Sequence, residues 1–253
     1  MSQIIAVLNQ KGGVGKTTTA INLGAYLAKN GKTVLLVDGD PQGNTTSGLG
    51  IDKHNLGATL KDVLFGHAEL ASSVINTNIR NLTLLPSNSS LAEAEVEMVP
   101  LNNREFLLKK GLSNSSHDFV IIDCPPALGL LTINALTSAN QVLIPVQTEF
   151  YAMEGLSQLL SVVQEVKQGL NPDLKLMGVV LTMYDSRTTL SQQVRQEIAK
   201  HFGDKLFNTI IPRNIRLAEA PSFGRSIVEH DKWSKGARAY KQLAKEVVER
   251  AKH

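Results

Sequence analysis

The sequence has one cysteine, few aromatic residues and no long apolar run. Because Cys124 is alone among 253 residues, the chain cannot form a disulfide framework from its own residues. No apolar segment approaches the ~20 residues that a membrane-spanning helix requires. The N-terminus enters a predicted strand directly, without the charged and apolar regions of a signal peptide. These absences lead us to expect a protein of the reducing cytoplasm, with Cys124 as a small buried side chain rather than a reactive thiol.

The composition supports a sizeable core. With 42% hydrophobic and 19% charged residues, the chain is long enough for one large domain. Short apolar runs rich in β-branched residues predict strands at 4–8, 33–37, 82–85, 119–122, 142–146 and 176–182 and a short strand ending at 210–211. Helical periodicity predicts helices at 20–28, 59–65, 91–98, 102–112, 156–170, 186–202 and 235–250. We therefore predict one α/β domain over residues 1–253, with a mostly parallel, twisted sheet and helices on both faces.

Positive charge is concentrated toward the C-terminus. Residues 187–253 hold 14 Lys and Arg against 7 Asp and Glu, a balance of +7, so in a chain of net charge +3 the residues before them carry −4. A basic quarter of this kind suits a polyanionic partner. Lysines scattered over an ordinary solvated face are the alternative, and charge alone does not separate the two.

A glycine-rich segment separates the first predicted strand from the first predicted helix. It reads Asn9-Gln10-Lys11-Gly12-Gly13-Val14-Gly15-Lys16-Thr17-Thr18-Thr19. Its glycines let successive backbone N–H groups converge, and the helix start adds partial positive charge, so such a turn binds phosphate. Lys16 is then placed to reach the β- and γ-phosphates of a nucleotide, and Thr17 to ligate Mg²⁺. A surface turn with solvated lysines is the alternative.

This segment departs from the phosphate-loop pattern G-x-x-x-x-G-K-[ST] at its first position. Gln10 stands where the pattern has glycine, and Lys11 adds a second lysine. The form K-G-G-x-G-K-T resembles the deviant Walker A box of the ParA/MinD family of ATPases. The resemblance implies a P-loop fold, ATP and Mg²⁺ as cofactors, and an ATP-bound homodimer in which Lys11 crosses to the partner's nucleotide. It assigns nucleotide contacts to Lys11, Gly12, Gly13, Val14, Gly15, Lys16, Thr17 and Thr18, with catalytic roles for Lys11 and Lys16.

Two further predicted strands lead into aspartates. Residues 33–37 precede Asp38-Gly39-Asp40-Pro41-Gln42, and residues 119–122 precede Asp123. Ligands bind at the C-terminal ends of parallel strands, and phosphoryl transfer needs positioned water and charge neutralisation, so these carboxylates suit such a site. The first box resembles the family motif D-x-D-P-Q, which makes Asp40 the catalytic aspartate. Asp123 is predicted to hold Mg²⁺ together with Thr17. An Asx turn is the alternative for the first box.

The C-terminal part carries the features that discriminate within the family. The strand at 176–182 ends in Thr182-Met183-Tyr184-Asp185 and lacks an N-K-x-D guanine-reading motif, which favours adenine. The run from Pro212 to Pro221, P-R-N-I-R-L-A-E-A-P, closely resembles the ParA (Soj-like) branch. That resemblance places Pro212 and Asn214 beside the adenine and assigns DNA contacts to Arg187 and Arg216.

The family resemblance implies a DNA-partitioning or cargo-positioning ATPase. An ATP-bound dimer would bind double-stranded DNA without sequence preference, because no base-reading element is visible. A ParB-like or other cargo adaptor would stimulate otherwise slow hydrolysis and so release the dimer from the nucleoid. The main alternative is a MinD-like ATPase on a membrane, although the stripe on the last predicted helix is mostly Ala and Val, smaller than membrane-binding helices carry. An iron–sulfur relative would need more cysteine, and an ATP-dependent ligase of similar fold is a further alternative.

Overall fold

An eight-stranded sheet organises the computed structural model, which describes residues 2–149 and 152–252. The strand order is β3-β4-β2-β5-β1-β6-β7-β8, and every pairing is parallel except that of the edge strand β3 with β4. The strands are β1 (Gln3–Val7), β2 (Val34–Asp38), β3 (Ile75–Asn76), β4 (Leu82–Leu85), β5 (Phe119–Asp123), β6 (Gln141–Gln147), β7 (Lys175–Tyr184) and β8 (Leu206–Pro212). This confirms the predicted α/β class and mostly parallel sheet.

Twelve α-helices connect the strands in the described part of the chain. They are α1 (Lys16–Lys29), α2 (Asn44–Gly48), α3 (Leu60–Phe65), α4 (Leu70–Ser73), α5 (Leu91–Met98), α6 (Leu107–Gly111), α7 (Leu130–Ser138), α8 (Ala152–Gly169), α9 (Thr189–Phe202), α10 (Ile215–Glu219), α11 (Ile227–His230) and α12 (Lys235–Arg250). Short 3₁₀ turns lie at Arg104–Phe106, Gly203–Lys205 and Ala220–Phe223.

The helices cover both faces of the sheet because successive strand residues point to opposite sides. In β1, Ile5 and Val7 face a core made with α1, α11 and α12, whereas Ala6 packs in a second core with α3, α5, α7 and α8. The central strands are buried throughout, which explains why their sequences are continuous apolar runs rather than alternating patterns.

The helix predicted at 102–112 is wrong in its first half. Asn103 has a left-handed backbone with φ of 55°, so a 3₁₀ turn precedes the shorter helix α6. The helix predicted from residue 186 begins instead at Thr189, because the Thr188 side chain caps it by accepting a hydrogen bond from the Ser191 N–H. The short helices α2, α4, α10 and α11, and the longer α7, were not predicted.

Strand register sets the position of the site. Asp123 at the end of β5 pairs with Val7 of β1 on one side and with Asp38 of β2 on the other. The glycine-rich loop that follows β1 therefore starts beside both aspartates. At the other side of the sheet, Tyr184 of β7 pairs with Pro212 of β8, so the segments after these strands leave the sheet together. Among the described residues, no helix has the length and apolarity to cross a membrane.

Candidate functional site

The glycine-rich loop lines an open cavity of about 630 Å³ at the C-terminal edge of the sheet. Gly13 and Gly15 have φ of 74° and 90°, a left-handed conformation that costs glycine little. Gly15 caps the N-terminus of α1 without any side-chain hydrogen bond. The first N–H groups of α1 have no helical acceptor, so this end of the helix offers donors and partial positive charge to an anion.

Contacts from distant strands hold the loop. The Thr182 hydroxyl at the end of β7 donates to the Val14 carbonyl at 2.8 Å. Asn9 accepts from the Lys11 N–H at 3.0 Å and donates its side-chain amide to the Pro145 carbonyl at 2.8 Å. The cradle is thus positioned by β6 and β7 as well as by its own glycines.

Lys16 lies inside the loop and is only 7% exposed. Its Nζ donates to the Lys11 carbonyl at 2.9 Å. Burial lowers the pKa of Lys16, while the nearby carboxylates of Asp123 and Asp40 act in the opposite direction. A buried ammonium directed at the concave side of the loop is suited to a phosphate, which would supply the compensating negative charge.

Lys11 points away from the loop interior. Its side chain is 52% exposed and its Nζ forms an ion pair with the carboxylate of Glu149, which follows β6. The two lysines of the motif therefore occupy different environments: Lys16 is directed inward and Lys11 outward. No local sequence pattern predicts the contact of Glu149 with Lys11, because the two residues are 138 positions apart and meet only in the folded chain.

Asp123 provides a test of whether the site fits Mg²⁺. Burial raises the pKa of its carboxyl to about 6, although the hydroxyls of Thr17 and Thr45 act to lower it. The Thr45 hydroxyl donates to Oδ2 at 2.7 Å, whereas the buried Oδ1 has no hydrogen-bond partner among the described residues. A buried carboxylate oxygen without a partner, next to the Thr17 hydroxyl at the start of α1, is the kind of oxygen donor set that Mg²⁺ prefers.

Asp38 is the last residue of β2 and Asp40 follows it, and only Asp40 lines the cavity. Asp38 is fully buried and accepts hydrogen bonds from the N–H and hydroxyl of Thr46, at 2.8 and 2.6 Å. Burial and the neighbouring Asp123 raise the pKa of Asp38 to about 7. Asp38 therefore fixes the position of α2, and α2 in turn presents Thr45 to Asp123. Asp40 lines the cavity and also forms an Asx turn, since its side-chain Oδ1 accepts a hydrogen bond from the Gln42 N–H at 2.9 Å.

A second, more apolar cavity of about 320 Å³ adjoins the first. Pro212 and Asn214, which the resemblance places beside the adenine, line this cavity, and Met183 lines both cavities. The Asn214 side-chain oxygen caps α10 by accepting from the Leu217 N–H at 3.2 Å, which leaves its amide nitrogen for other contacts. Met183 has φ of 49°, an uncommon backbone for a non-glycine residue. A mostly apolar cavity beside a phosphate cradle suits a nucleobase.

Thr45, Glu149, Met183 and Tyr240 belong to the site or its wall but were missed by sequence reasoning. Thr45 could have been found, because it lies only three residues after Gln42, the last residue of the D-x-D-P-Q box. Tyr240 lines the apolar cavity and bonds the Thr19 hydroxyl of α1 at 3.1 Å. Its role depends on the packing of α12 against α1, which local sequence does not specify.

Arg187 and Arg216 follow the adjacent strands β7 and β8. Arg187 is 85% exposed, and its guanidinium holds the pKa of Asp185 down to about 2 through hydrogen bonds at 2.9 and 2.7 Å. Arg216, on α10, is 56% exposed and contacts Glu219 at 2.9 Å. The Arg213 N–H also donates to the Tyr184 carbonyl at 3.1 Å, which ties the two segments together. Both arginines are therefore accessible near the strand ends that border the apolar cavity.

A phosphate cradle after β1 and a buried aspartate at the end of the neighbouring parallel strand define this protein as a P-loop ATPase. A family model described as an AAA domain matches residues 2–176. Together with the relatives below, this shows that the chain belongs to the ParA/MinD family of deviant Walker A ATPases, in its Soj-like branch.

The comparisons extend over nearly the whole chain. It is 55% identical to the sporulation initiation inhibitor protein Soj of Bacillus subtilis, over 98% of this chain and 99% of that protein. It is 51% identical to the chromosome-partitioning ATPase Soj of Treponema pallidum, over 99% and 98%. Among solved structures, cobyrinic acid a,c-diamide synthase of Mycobacterium smegmatis with bound ADP and magnesium aligns with a TM-score of 0.88 at 41% identity, covering 100% and 96%. The predicted family, fold class, ATPase activity and use of ATP and Mg²⁺ are confirmed.

Proposed function

We propose that this chain is a partition ATPase, one domain over residues 1–253, whose ATP-bound dimer binds DNA and is released by hydrolysis. The name of the Treponema pallidum relative, chromosome-partitioning ATPase Soj, supports partitioning, and the outward position of Lys11 supports dimerisation. Lys16 already supplies a cation inside the loop, so a second cation directed outward from the same loop suits a nucleotide held by another subunit.

Different residues of the site bind the nucleotide and assist its hydrolysis. Loop N–H groups from Gly12 to Thr18 and the Lys16 ammonium hold the phosphates. Thr17 and Asp123 hold Mg²⁺, which when bound neutralises charge on the phosphates. Asp40 orients the attacking water. Pro212 and Asn214 contact the base, so that the end of β8 is linked to the nucleotide.

Replacing Lys11 with alanine should leave ATP binding by the monomer intact and prevent ATP-dependent dimerisation. In the monomer, Lys11 contacts Glu149, and its release would let it reach the partner's nucleotide. The measurement is light scattering of the protein with a non-hydrolysable ATP analogue, alongside equilibrium binding of a fluorescent analogue. A dimer of wild-type affinity in the variant would refute the crossing role.

Glu149→Gln is the matched variant for that experiment. It removes the charge that holds Lys11 in its own subunit while keeping the side-chain size. Exposed ion pairs contribute about 0–1 kcal/mol, so dimerisation should strengthen by no more than about fivefold. Weaker dimerisation would show instead that Glu149 supports Lys11 in the dimer.

Arg187 and Arg216 form the proposed DNA-binding face. A dimer presents both arginines twice, and affinity for a polyanion rises steeply with the number of phosphate contacts because each contact releases counterions. No described element reads bases in the manner of a recognition helix, so we propose binding without sequence preference. Release would follow hydrolysis, stimulated by a ParB-like or other cargo-bound adaptor, with the protein in the cytoplasm and on the nucleoid.

Arg216→Glu should weaken DNA binding by at least about tenfold and reduce the dependence of affinity on salt, because it removes one phosphate contact per subunit. Dimerisation with ATP should persist. Lys109→Glu is the control: it makes the same change in charge on α6, which packs in the opposite core through Leu108. DNA affinities measured by fluorescence anisotropy at several salt concentrations give the comparison. Equal affinities for the two variants would contradict this DNA-binding face.

Two alternatives have less support in the structure. For a MinD-like membrane role, the apolar stripe of α12 would need to be free, but Tyr240, Leu243 and Val247 are at most 1% exposed and pack in the core. For an amide-forming ligase like the Mycobacterium smegmatis relative, a thiolate able to release ammonia from glutamine would be useful. Cys124 is 1% exposed and burial raises the pKa of its thiol, so it offers no such nucleophile.

A further inference from the structure

Three large apolar side chains are exposed around α10, α11 and the start of α12. Ile215, Phe223 and Trp233 are 74%, 63% and 78% exposed, and Trp233 is the only tryptophan of the chain. We call residues 213–238 the α10–α12 corner. Large rings left in water at one place on a surface indicate an interaction site, because each gains free energy when a partner covers it.

A chain of contacts links Phe223 to Arg216. The Phe223 ring stacks on His230 with ring centroids 5.0 Å apart. His230 Nε2 lies 3.7 Å from Glu219, whose carboxylate accepts from Arg216 at 2.9 Å. The exposed ring is therefore linked to the arginine proposed to contact DNA through two intervening side chains, those of His230 and Glu219.

Asp231 links Arg216 to the backbone of Trp233. The Arg216 Nε lies 3.8 Å from a carboxylate oxygen of Asp231, and the other oxygen accepts from the Trp233 backbone N–H at 3.0 Å. The Lys232 ammonium lies 5.2 Å from the centroid of the Trp233 ring. Arg216 is thus linked to Phe223 through Glu219 and His230, and to Trp233 through Asp231.

The surroundings favour a polyanion over other occupants. Residues 213–238 hold six Arg and Lys against three Asp and Glu. The exposed apolar groups are single side chains separated by charged ones, and the corner has no continuous apolar helix face of the kind that inserts into a lipid surface. DNA combines closely spaced phosphates with sugar and base edges that take apolar contacts.

Resting on the proposed function, we propose that the α10–α12 corner binds DNA through its rings as well as through Arg216. The Trp233 ring packs against the sugar or base edges next to the phosphate that Arg216 holds, and Phe223 extends this contact. The ring contacts contribute binding free energy that does not depend on counterion release. This part of the affinity for DNA therefore persists at higher salt. Ile215 also lines the apolar cavity beside the loop, which places the corner next to the cavity proposed for the base.

Intrinsic fluorescence tests this directly, since every tryptophan signal comes from Trp233. Wild-type protein with a non-hydrolysable ATP analogue is titrated with a short duplex of arbitrary sequence, and binding is followed in parallel by the anisotropy of a labelled duplex. The fluorescence of Trp233 should change and saturate at the same DNA concentration as the anisotropy. A Trp233 signal that is flat while the anisotropy rises would overturn the proposal and leave DNA binding itself in place.

Single substitutions distinguish the contribution of the Trp233 ring to DNA affinity from that of the Arg216 charge. Trp233→Ala should lower DNA affinity about five- to fiftyfold with an unchanged salt slope, whereas Arg216→Ala should reduce that slope. Trp233→Phe keeps a ring and should restore most of the affinity, which excludes misfolding as the cause. Val96→Ala, a change at a 73% exposed side chain on α5, should have no effect. Wild-type affinity in Trp233→Ala would overturn the proposal.

A parallel titration with lipid vesicles tests whether the α10–α12 corner binds lipid instead of DNA. Vesicles of phosphatidylglycerol and phosphatidylcholine replace the duplex in the same titration. If they shift the Trp233 emission to the blue while DNA leaves it unchanged, the corner is a lipid-binding surface and the proposal is wrong. If the ATP-bound protein binds no DNA in the anisotropy measurement, both the proposed function and this inference fail.

Discussion

Replacing Lys16 with alanine should abolish measurable binding of ATP. The Lys16 ammonium is the buried cation of the phosphate loop, and it lies near the carboxylates of Asp123 and Asp40. Without it, the negative charge of these nearby carboxylates is no longer offset by the Lys16 ammonium when the phosphates enter. Removing one partner of a buried charged contact costs about 2–5 kcal/mol, or roughly 30- to 5,000-fold in affinity. The loop also loses the hydrogen bond from Lys16 to the Lys11 carbonyl.

Calorimetric titration with ATP and Mg²⁺ measures this loss. Lys29→Ala is the matched control, because Lys29 lies in the last turn of the same helix, away from the loop. The control should bind as the wild type does. An affinity for ATP in Lys16→Ala that equals the control's would contradict the assignment of residues 11–18 as the phosphate loop.

Replacing Asp40 with alanine should leave ATP bound and slow its hydrolysis by about 10²- to 10⁴-fold, the usual contribution of a group that orients or deprotonates the nucleophile. Asp40 lines the phosphate cavity and is 8% exposed. Its backbone carbonyl accepts from the Ser87 hydroxyl at 3.0 Å and from the Gly43 N–H at 2.9 Å. These bonds do not need the carboxylate, so the loop should keep its shape and the ATP-bound dimer should accumulate.

Asp40→Asn separates catalysis from turn formation. Asparagine can still accept the hydrogen bond from the Gln42 N–H that closes the Asx turn, but it cannot act as a carboxylate. If Asp40 is catalytic, both variants lose phosphate release in a single-turnover assay. If it only shapes the turn, Asp40→Asn retains activity. Asp52→Ala, in the following exposed loop, is the control and should hydrolyse ATP at the wild-type rate.

The central strands β2, β5 and β6 were predictable because each is a short apolar run that the sheet buries on both sides, whereas the two-residue edge strand β3 was not predicted. The last helix was predicted at its observed bounds, Lys235–Arg250, since its apolar stripe has a clear helical period. Helix α7 was missed for the opposite reason. Most of its residues are buried around its whole circumference, so the sequence shows no polar face to mark the period. The shorter α10 and α11 depend on capping by Asn214 and Ser226 rather than on periodicity.

The sequence by itself determined the phosphate loop, the aspartates at the strand ends and the basic C-terminal quarter, because each is a local pattern of residue types. Only the tertiary structure decided that Lys11 meets Glu149, that Asp40 lines the cavity while Asp38 supports α2, and that Arg216 is linked to the neighbourhood of Trp233 through Asp231. The strand order brings residues more than a hundred positions apart into contact, and folded loops select which of two neighbouring carboxylates faces the site. Pairings of that kind depend on packing across the whole sheet, which no local pattern records.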